Sequence, residues 1–407
     1  MVVGFRKPEA VVGIFAFEVS SVMSKLVHLW ESLGYEQVDR LRKFMSDSVG
    51  LKELVSHDTD FIRGLIRGEL FENMIPLTKF VARVGKNHCS DLRLKDFEHA
   101  VGDLINHGVD PFGWVLPYEE MGNEAKKMES FMSVAAVLHD RMKLVSHLEG
   151  TRNHMDGPIW LEIQNKIELK RLDVAKLKEE SLWNMNFNYI GILLARSVFT
   201  IFNRIKSVYG VPQLMAKDTG HTSSTPSPSI FNKYKLFDAP PDTLGAAALA
   251  LKYADIVILI EYLVRSPVYV YTTRRDKLYN MLPAKMRAML SERLPPVQSS
   301  TCSSIKDVAA EKNVAMLEML EWLAPLAHNT NKCHSMWKRK QKAYASTRSH
   351  VLLVQTRYFA SQQKTEAAIM ELIVGLQYKR RAAEMLCGLE DKAEASIVLE
   401  ESKSVTV

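Results

Sequence analysis

The sequence predicts an all-α protein: helical bundles with a long antiparallel helical hairpin between them. Two observations carry that expectation. Apolar residues recur at three- and four-residue spacing through most of the 407-residue chain, which is the period of one helix face. Strand-type alternation is absent, and no Asn-Gly or Asp-Gly pair separates two alternating runs as a hairpin turn would. The composition agrees. Apolar residues make up 47% of the chain, enough for a core, while 19 glycines are too few for a collagen-like or Gly-rich chain. A chain of this length corresponds to about two or three domains and needs no disulfide or metal to fold.

Residues 10–33 read as one helix, apolar nearly all round in its first half, as suits the inside of a bundle. Arg6 and Lys7 precede this run as they would in a signal peptide. Glu18 interrupts it, however, and amphipathic sequence continues through Trp30, so no signal peptide is expected. Val38, Leu41, Phe44 and Met45 repeat at helical spacing, as do Phe61, Ile62, Leu65 and Ile66. Phe71, Ile75, Leu77, Phe80, Val81 and Val84 extend the pattern, with Pro76 expected to kink or break that helix. Residues 9–108 therefore read as an N-terminal helical domain.

The turn-rich stretch GVDPFGWVLPYEEMGN comes next. Beyond it, Met128, Phe131, Ala135, Leu138, Met142 and Val145 are spaced 3, 4, 3, 4, 3, the series of a coiled-coil seam. Ile163, Ile167, Val174 and Leu177 hold the same spacing on a second helix, with Lys170 in the missing position. That helix is expected to run on to Ser207. Residues 121–207 thus read as an antiparallel hairpin burying its two seams on each other. A parallel homodimer zipper is the alternative use of the same seam.

Residues 208–241, rich in Ser, Thr and Pro, form a linker, in which Thr225 and Ser227 each precede proline and are candidate phosphorylation sites. Residues 242–388 read as a C-terminal helical domain, opened by a helix capped at Asp242 or Thr243 and ending near Arg265. Further helices are expected at 274–292, 305–328, 331–359 and 363–387, with 389–407 a disordered tail. The run LGAAALALKYADIVILIEYLV approaches bilayer length. Lys252, Asp255 and Glu261 decide against insertion, a Lys or Asp near mid-membrane costing about 2.5–3.5 kcal/mol each.

Chemistry is nearly silent. The chain has no GxxxxGK[ST], HExxH, GxSxG or GxGxxG pattern, so no catalytic or cofactor-binding residue is expected. His328, Cys333 and His334 form the best metal-like cluster, but the two histidines lie about 240° apart around a helix, so no metal site is expected. Cys89, Cys302, Cys333 and Cys387 form no CxxC pair, which suits a reducing compartment. The net charge of +6 is mild, and no aromatic-studded basic stripe accompanies it, so nucleic acid is not an expected partner. The basic cluster Lys338, Arg339, Lys340 and Lys342, beside Trp337, is a candidate nuclear-import signal. The plainer alternative is a solvated helix face. Lys379-Arg380-Arg381 sits where cations complement a helix dipole.

Several segments are similar to one plant family, the PSK simulator (phytosulfokine-signalling) proteins. VGIFAFEVSSVMSKLVHLWESL, from Val12, resembles the opening of the family's N-terminal domain of unknown function. TLGAAALALKYADIVILIEYLV, from Thr243, resembles the opening of its second one. WLAPLAHNTNKCHSMW (322–337) and VQTRYFASQQKTEAAIMELIVGLQ (354–377) resemble that domain's later helices, and WNMNFNYIGILLARSVFTIFNRIKSVYG resembles the middle of one branch. The resemblance implies a role in promoting growth through the sulfated peptide hormone phytosulfokine, at the nucleus or the cytoplasmic face of the plasma membrane. It carries over no catalytic residue. The start MVVGFR lacks the myristoylation pattern that family members carry, so lipid anchoring is not expected. The leading expectation is an intracellular, non-enzymatic scaffold or adaptor that meets protein partners through helix faces. The alternative is a peripheral membrane or trafficking factor whose basic helix faces meet anionic lipid. The sequence leaves the oligomeric state open.

Overall fold

The structure, a computed structural model, describes residues 11–210, 239–266, 268–293, 302–340 and 352–404. In chain order its helices begin with α1 (Ala16–Ser32), α2 (Tyr35–Asp47), α3 (Val49–Leu54), α4 (Thr59–His88), α5 (Leu92–Lys95) and α6 (Phe97–His107). There follow α7 (Tyr118–Arg152), α8 (Pro158–Glu180), α9 (Phe187–Tyr209), α10 (Ala250–Arg265) and α11 (Val268–Met281). The last are α12 (Ala284–Arg293), α13 (Cys302–Lys340) and α14 (Gln362–Ser404). Among the described residues no strand forms, so the fold is all-α.

Two compact units share these helices. The first holds the described residues of 1–43 and 63–237; the second holds 44–62 with those of 238–339 and 351–407. The units therefore do not follow the segments 9–108 and 242–388. Residues 44–62 leave the N-terminal helices and build into the second unit.

In the first unit α9 lies at the centre. Phe187, Ile190, Leu194, Val198, Phe199, Ile201, Phe202 and Ile205 leave almost no side of it exposed. Phe199 meets Phe97 of α6 and Trp114 of the turn after it, with ring centroids 5.9 and 5.0 Å apart. That turn is set by chemistry legible in its sequence. Gly108 takes the left-handed conformation (φ 73°) that ends α6. The Asp110 carboxylate then accepts from the N–H groups of Phe112 and Val115 at 3.2 and 2.8 Å. At Gly85 of α4 a Cβ would stand 2.2 Å from the Leu94 carbonyl oxygen, so only glycine lets α4 and α5 touch there.

In the second unit α10 is the buried helix. Tyr253, Ala254, Ile256, Val257, Ile260 and Leu263 pack against Leu278 of α11, Met286 and Leu290 of α12, Leu320 and Leu323 of α13, and Ile369 and Ile373 of α14. Leu54 of α3 joins the same core.

Several expectations are corrected. The second hairpin helix does not run on to Ser207: α8 ends at Glu180 and α9 starts at Phe187. Ser181 and Asn186 divide them, because each side-chain oxygen accepts the N–H two residues ahead, from Trp183 at 3.2 Å and Asn188 at 2.6 Å. No helix begins at Asp242 or Thr243. Leu244 and Gly245 donate their N–H groups to the carbonyls of Ala360 and Tyr358 at 2.9 and 2.8 Å. Asp242 and Ala248 also hold positive φ angles of 69° and 54°, which no helix accepts, so α10 starts at Ala250. Pro76 does not break α4, and the helices expected at 305–328 and 331–359 are not divided after Pro325, because α13 runs through it. Buried residues on both sides, Met74 and Leu77, then Ala324 and Leu326, hold each helix across its proline. A turn before Pro283 splits the expected helix 274–292 into α11 and α12. The helix expected over 331–359 is instead the end of α13 and a loop at 352–361, and α14 continues to Ser404 through residues read as a tail.

Candidate partner-binding surfaces

α7 is long enough to serve two neighbours in turn. Towards its start it runs antiparallel to α1: the Tyr118 ring lies tilted against Trp30 and that of His139 against Phe17, with ring centroids 4.8 and 5.0 Å apart. Towards its end it meets α8, again antiparallel. Arg171 of α8 reaches Glu149 at 2.6 Å, while Arg152 donates to Gln164 at 2.9 Å. Counting back at about 1.5 Å per residue, α8 ends roughly opposite residue 140 of α7.

This divides the sequence-predicted seam. Met128, Ala135 and Leu138 are buried and Phe131 is half-buried, but they lie in the stretch of α7 that α1 covers. The 3–4 spacing could not reveal that the partner changes along it. Met142 and Val145 of α7 and Ile163, Val174 and Leu177 of α8 are half-buried, and Ile167 is buried. Lys170, at the interrupted position, keeps its ammonium on Asp173 at 3.0 Å.

The opposite face of α8 is bare. Leu161, Leu169 and Leu172 are 57%, 63% and 68% exposed and fall within a sector of about 80°. Ile159 and Trp160 are exposed in the first turn of α8, and Met155 in the connection from α7. Single exposed leucines are ordinary, but three of them on one face of one helix make a candidate interaction surface. The row is not among the residues singled out from the sequence. Its signal was present in the spacing 161, 165, 169, 172, broken only by Asn165.

The second unit has a smaller feature. A shallow groove of about 340 Å³ is lined by Arg265, Val314, Leu317, Glu318, Leu320 and Glu321, with Val314 and Leu317 exposed. Nearby polar side chains are engaged with each other. Glu261 is held by Arg265 at 3.1 Å and His328 at 2.7 Å, Asp255 accepts from Asn331 at 2.9 Å, and Tyr253 donates to Glu366 at 2.7 Å. His328 thus turns to Glu261, and no group of three His, Cys, Asp or Glu among the described residues is placed to hold a metal. In the first unit Cys89 gives its thiol proton to the Phe187 carbonyl at 3.3 Å. Burial, aided by the Asp91 charge, pushes that thiol up to about 11.

Of the basic cluster, Lys338, Arg339 and Lys340 occupy the last turn of α13, and Lys342 lies outside the described residues, as do Thr225 and Ser227. No described helix is long and apolar enough to cross a membrane.

Fold and surface together define an all-helical protein whose prominent exposed chemistry is apolar helix surface. Comparison with known proteins gives the relatives. Residues 14–70 match a domain of unknown function, DUF3475, and residues 243–332 match a protein family of unknown function, DUF668. Over 90% of its length the chain is similar to three Arabidopsis thaliana proteins, PSK SIMULATOR 3, 1 and 2, at 25%, 24% and 25% identity. The chain spans 56%, 55% and 59% of the length of these relatives. No solved structure matches.

Proposed function

We propose that the chain acts in phytosulfokine-related growth signalling as a non-enzymatic helical scaffold, docking a protein partner on the outer face of α8. The process comes from the names of its relatives, to which the chain is similar over nine-tenths of its length. The mode of action rests on one observation, the exposed row Leu161, Leu169 and Leu172. Such a row gives a partner helix apolar anchors spaced by one or two turns, while the covered inner face holds α8 on α7. Burying three such leucines supplies about 4–6 kcal/mol before association entropy is subtracted, so flanking contacts must contribute to a stable complex. The alternative, anionic lipid met by basic helix faces, has less behind it, because the exposed face described here is apolar and not basic.

Genetic complementation tests the proposal. In Arabidopsis thaliana lacking the three relatives, the chain should restore growth and its response to phytosulfokine, and the pair Leu169→Glu and Leu172→Glu should not. Growth restored equally by that variant would remove the α8 face from the proposal. Failure of the wild-type chain would remove the process.

A further inference from the structure

Arg357 stands apart from every other charged side chain described in the second unit. It belongs to the loop 352–361, whose backbone is held from four directions. Its own N–H donates to the Thr330 hydroxyl at 3.1 Å, the Tyr358 carbonyl accepts from Gly245, the Ala360 carbonyl accepts from Leu244, and the Ser361 N–H donates to the Leu54 carbonyl. So fixed, the side chain points inward and is 0% exposed. Nη1 donates to the Tyr253 carbonyl at 2.7 Å, while Nε and Nη2 have no partner among the described residues.

The buried carboxylates of this unit have cations beside them. Glu261 has Arg265, besides its hydrogen bond with His328, and Glu366 has Lys285 at 3.8 Å together with bonds from Tyr253 and Gln362. Among the described residues no carboxylate lies within ion-pair distance of Arg357. A guanidinium does not shed its proton to escape the interior, and an uncompensated buried charge is among the most destabilising features a core can hold. The two open donors are also adjacent. Nε–H and one N–H of Nη2 point the same way along one edge of the planar group, forming the fork that grips an anion with two parallel bonds. The same loop-to-helix junction carries a second buried polar atom without a partner, the Thr365 hydroxyl in the first turn of α14.

We infer that Arg357 holds a buried monatomic anion, chloride in the cell, on the edge formed by Nε and Nη2. Complete burial favours a compact monatomic ion over a bulkier carboxylate or phosphate ligand, and chloride is the abundant one in cells. The ion neutralises the guanidinium and ties the loop 352–361 to α10 through a filled site. Burial lowers the guanidinium's proton affinity, as expected for a cation with no counter-charge from the protein.

The test uses the full chain at fixed ionic strength, exchanging potassium gluconate for potassium bromide. The melting temperature of the second unit should rise by about 3–6 °C per tenfold increase in bromide once the site begins to fill. Arg357→Met should flatten that dependence, while Arg293→Met, which removes a surface arginine paired with Glu371, should leave it intact. Crystals grown in bromide should show an anomalous peak between Nε and Nη2, a readout that stands even if Arg357→Met fails to fold. A wild-type chain indifferent to bromide overturns the inference. So does a water at that edge with anomalous peaks only on the surface, which would mean an adventitious ion only.

Discussion

Gly50 offers a perturbation whose sign depends on the packing of α3. A methyl group is usually welcome in a helix, and replacing glycine by alanine there gains up to about 1 kcal/mol. At Gly50 a Cβ would stand 2.8 Å from Leu326 Cδ1, 2.9 Å from the Trp322 carbonyl oxygen and 3.1 Å from Trp322 Cε3. The leucine methyl can rotate away, but the carbonyl oxygen is part of α13 and moves only with the helix. Overpacking of this kind costs about 1–3 kcal/mol, so the strain exceeds the propensity gain and Gly50→Ala should destabilise the second unit. For a unit of this size, a net loss of about 1–2 kcal/mol lowers its melting temperature by about 2–8 °C. Gly122 of α7 has nothing within 4 Å of its would-be Cβ, so Gly122→Ala is the control and should be neutral or stabilising. Calorimetry of the two variants beside the wild type is the assay. If Gly50→Ala melts with or above the wild type, α3 is not seated on α13, and the assignment of residues 44–62 to the second unit is wrong.

Other outcomes follow from the same geometry. Leu138→Asp should cost several kcal/mol by burying an unpaired charge against α1, whereas Leu172→Asp should leave urea unfolding unchanged. Cys89, with its thiol raised from 9.0 to about 11, and Tyr209, raised by burial from 10.0 to about 12, keep their protons in the fold after the unfolded chain has lost them. Stability of the first unit should therefore be fully present below pH 9, fall as pH rises towards 11, and fall less steeply in Cys89→Ala. Denaturation midpoints at pH 8 and 10.5 that do not differ would contradict this. Changing Lys338, Arg339, Lys340 and Lys342 together to Gln should leave the melting temperature intact and empty the nucleus of a fluorescent fusion, if the cluster serves import.

The helical class was legible because 3–4 spacing is a local property of sequence, visible at Leu26, Phe80 or Ile369 without knowing what each residue touches. Helix limits were legible where a side chain enforces them, as at Gly108 and Asp110. They were missed where tertiary partners decide. Thr243 looks like an N-cap, yet Leu244 and Gly245 give their N–H groups to the loop 352–361, a partner more than a hundred residues away. The α7 seam reads as one hairpin because periodicity records that a face is covered and not by which helix. The outer row of α8 was overlooked because Leu161, Leu169 and Leu172 look like core leucines until the inner face proves to be Ile163, Ile167 and Val174. Arg357 looked like one basic residue among 53, and only complete burial distinguishes it.

The proposed function stands or falls with protein binding on the outer face of α8. The direct measurement compares the wild-type chain with Leu169→Glu and Leu172→Glu combined, both tagged and expressed in plant tissue at equal level. Circular dichroism must first show equal helix content and equal melting temperature, since both leucines are exposed. Quantitative mass spectrometry of the purified complexes should then show one or a few proteins depleted at least about tenfold in the variant, equivalent to about 1.4 kcal/mol or more of lost binding. An unchanged set of co-purifying proteins at unchanged abundance would contradict docking on the α8 face.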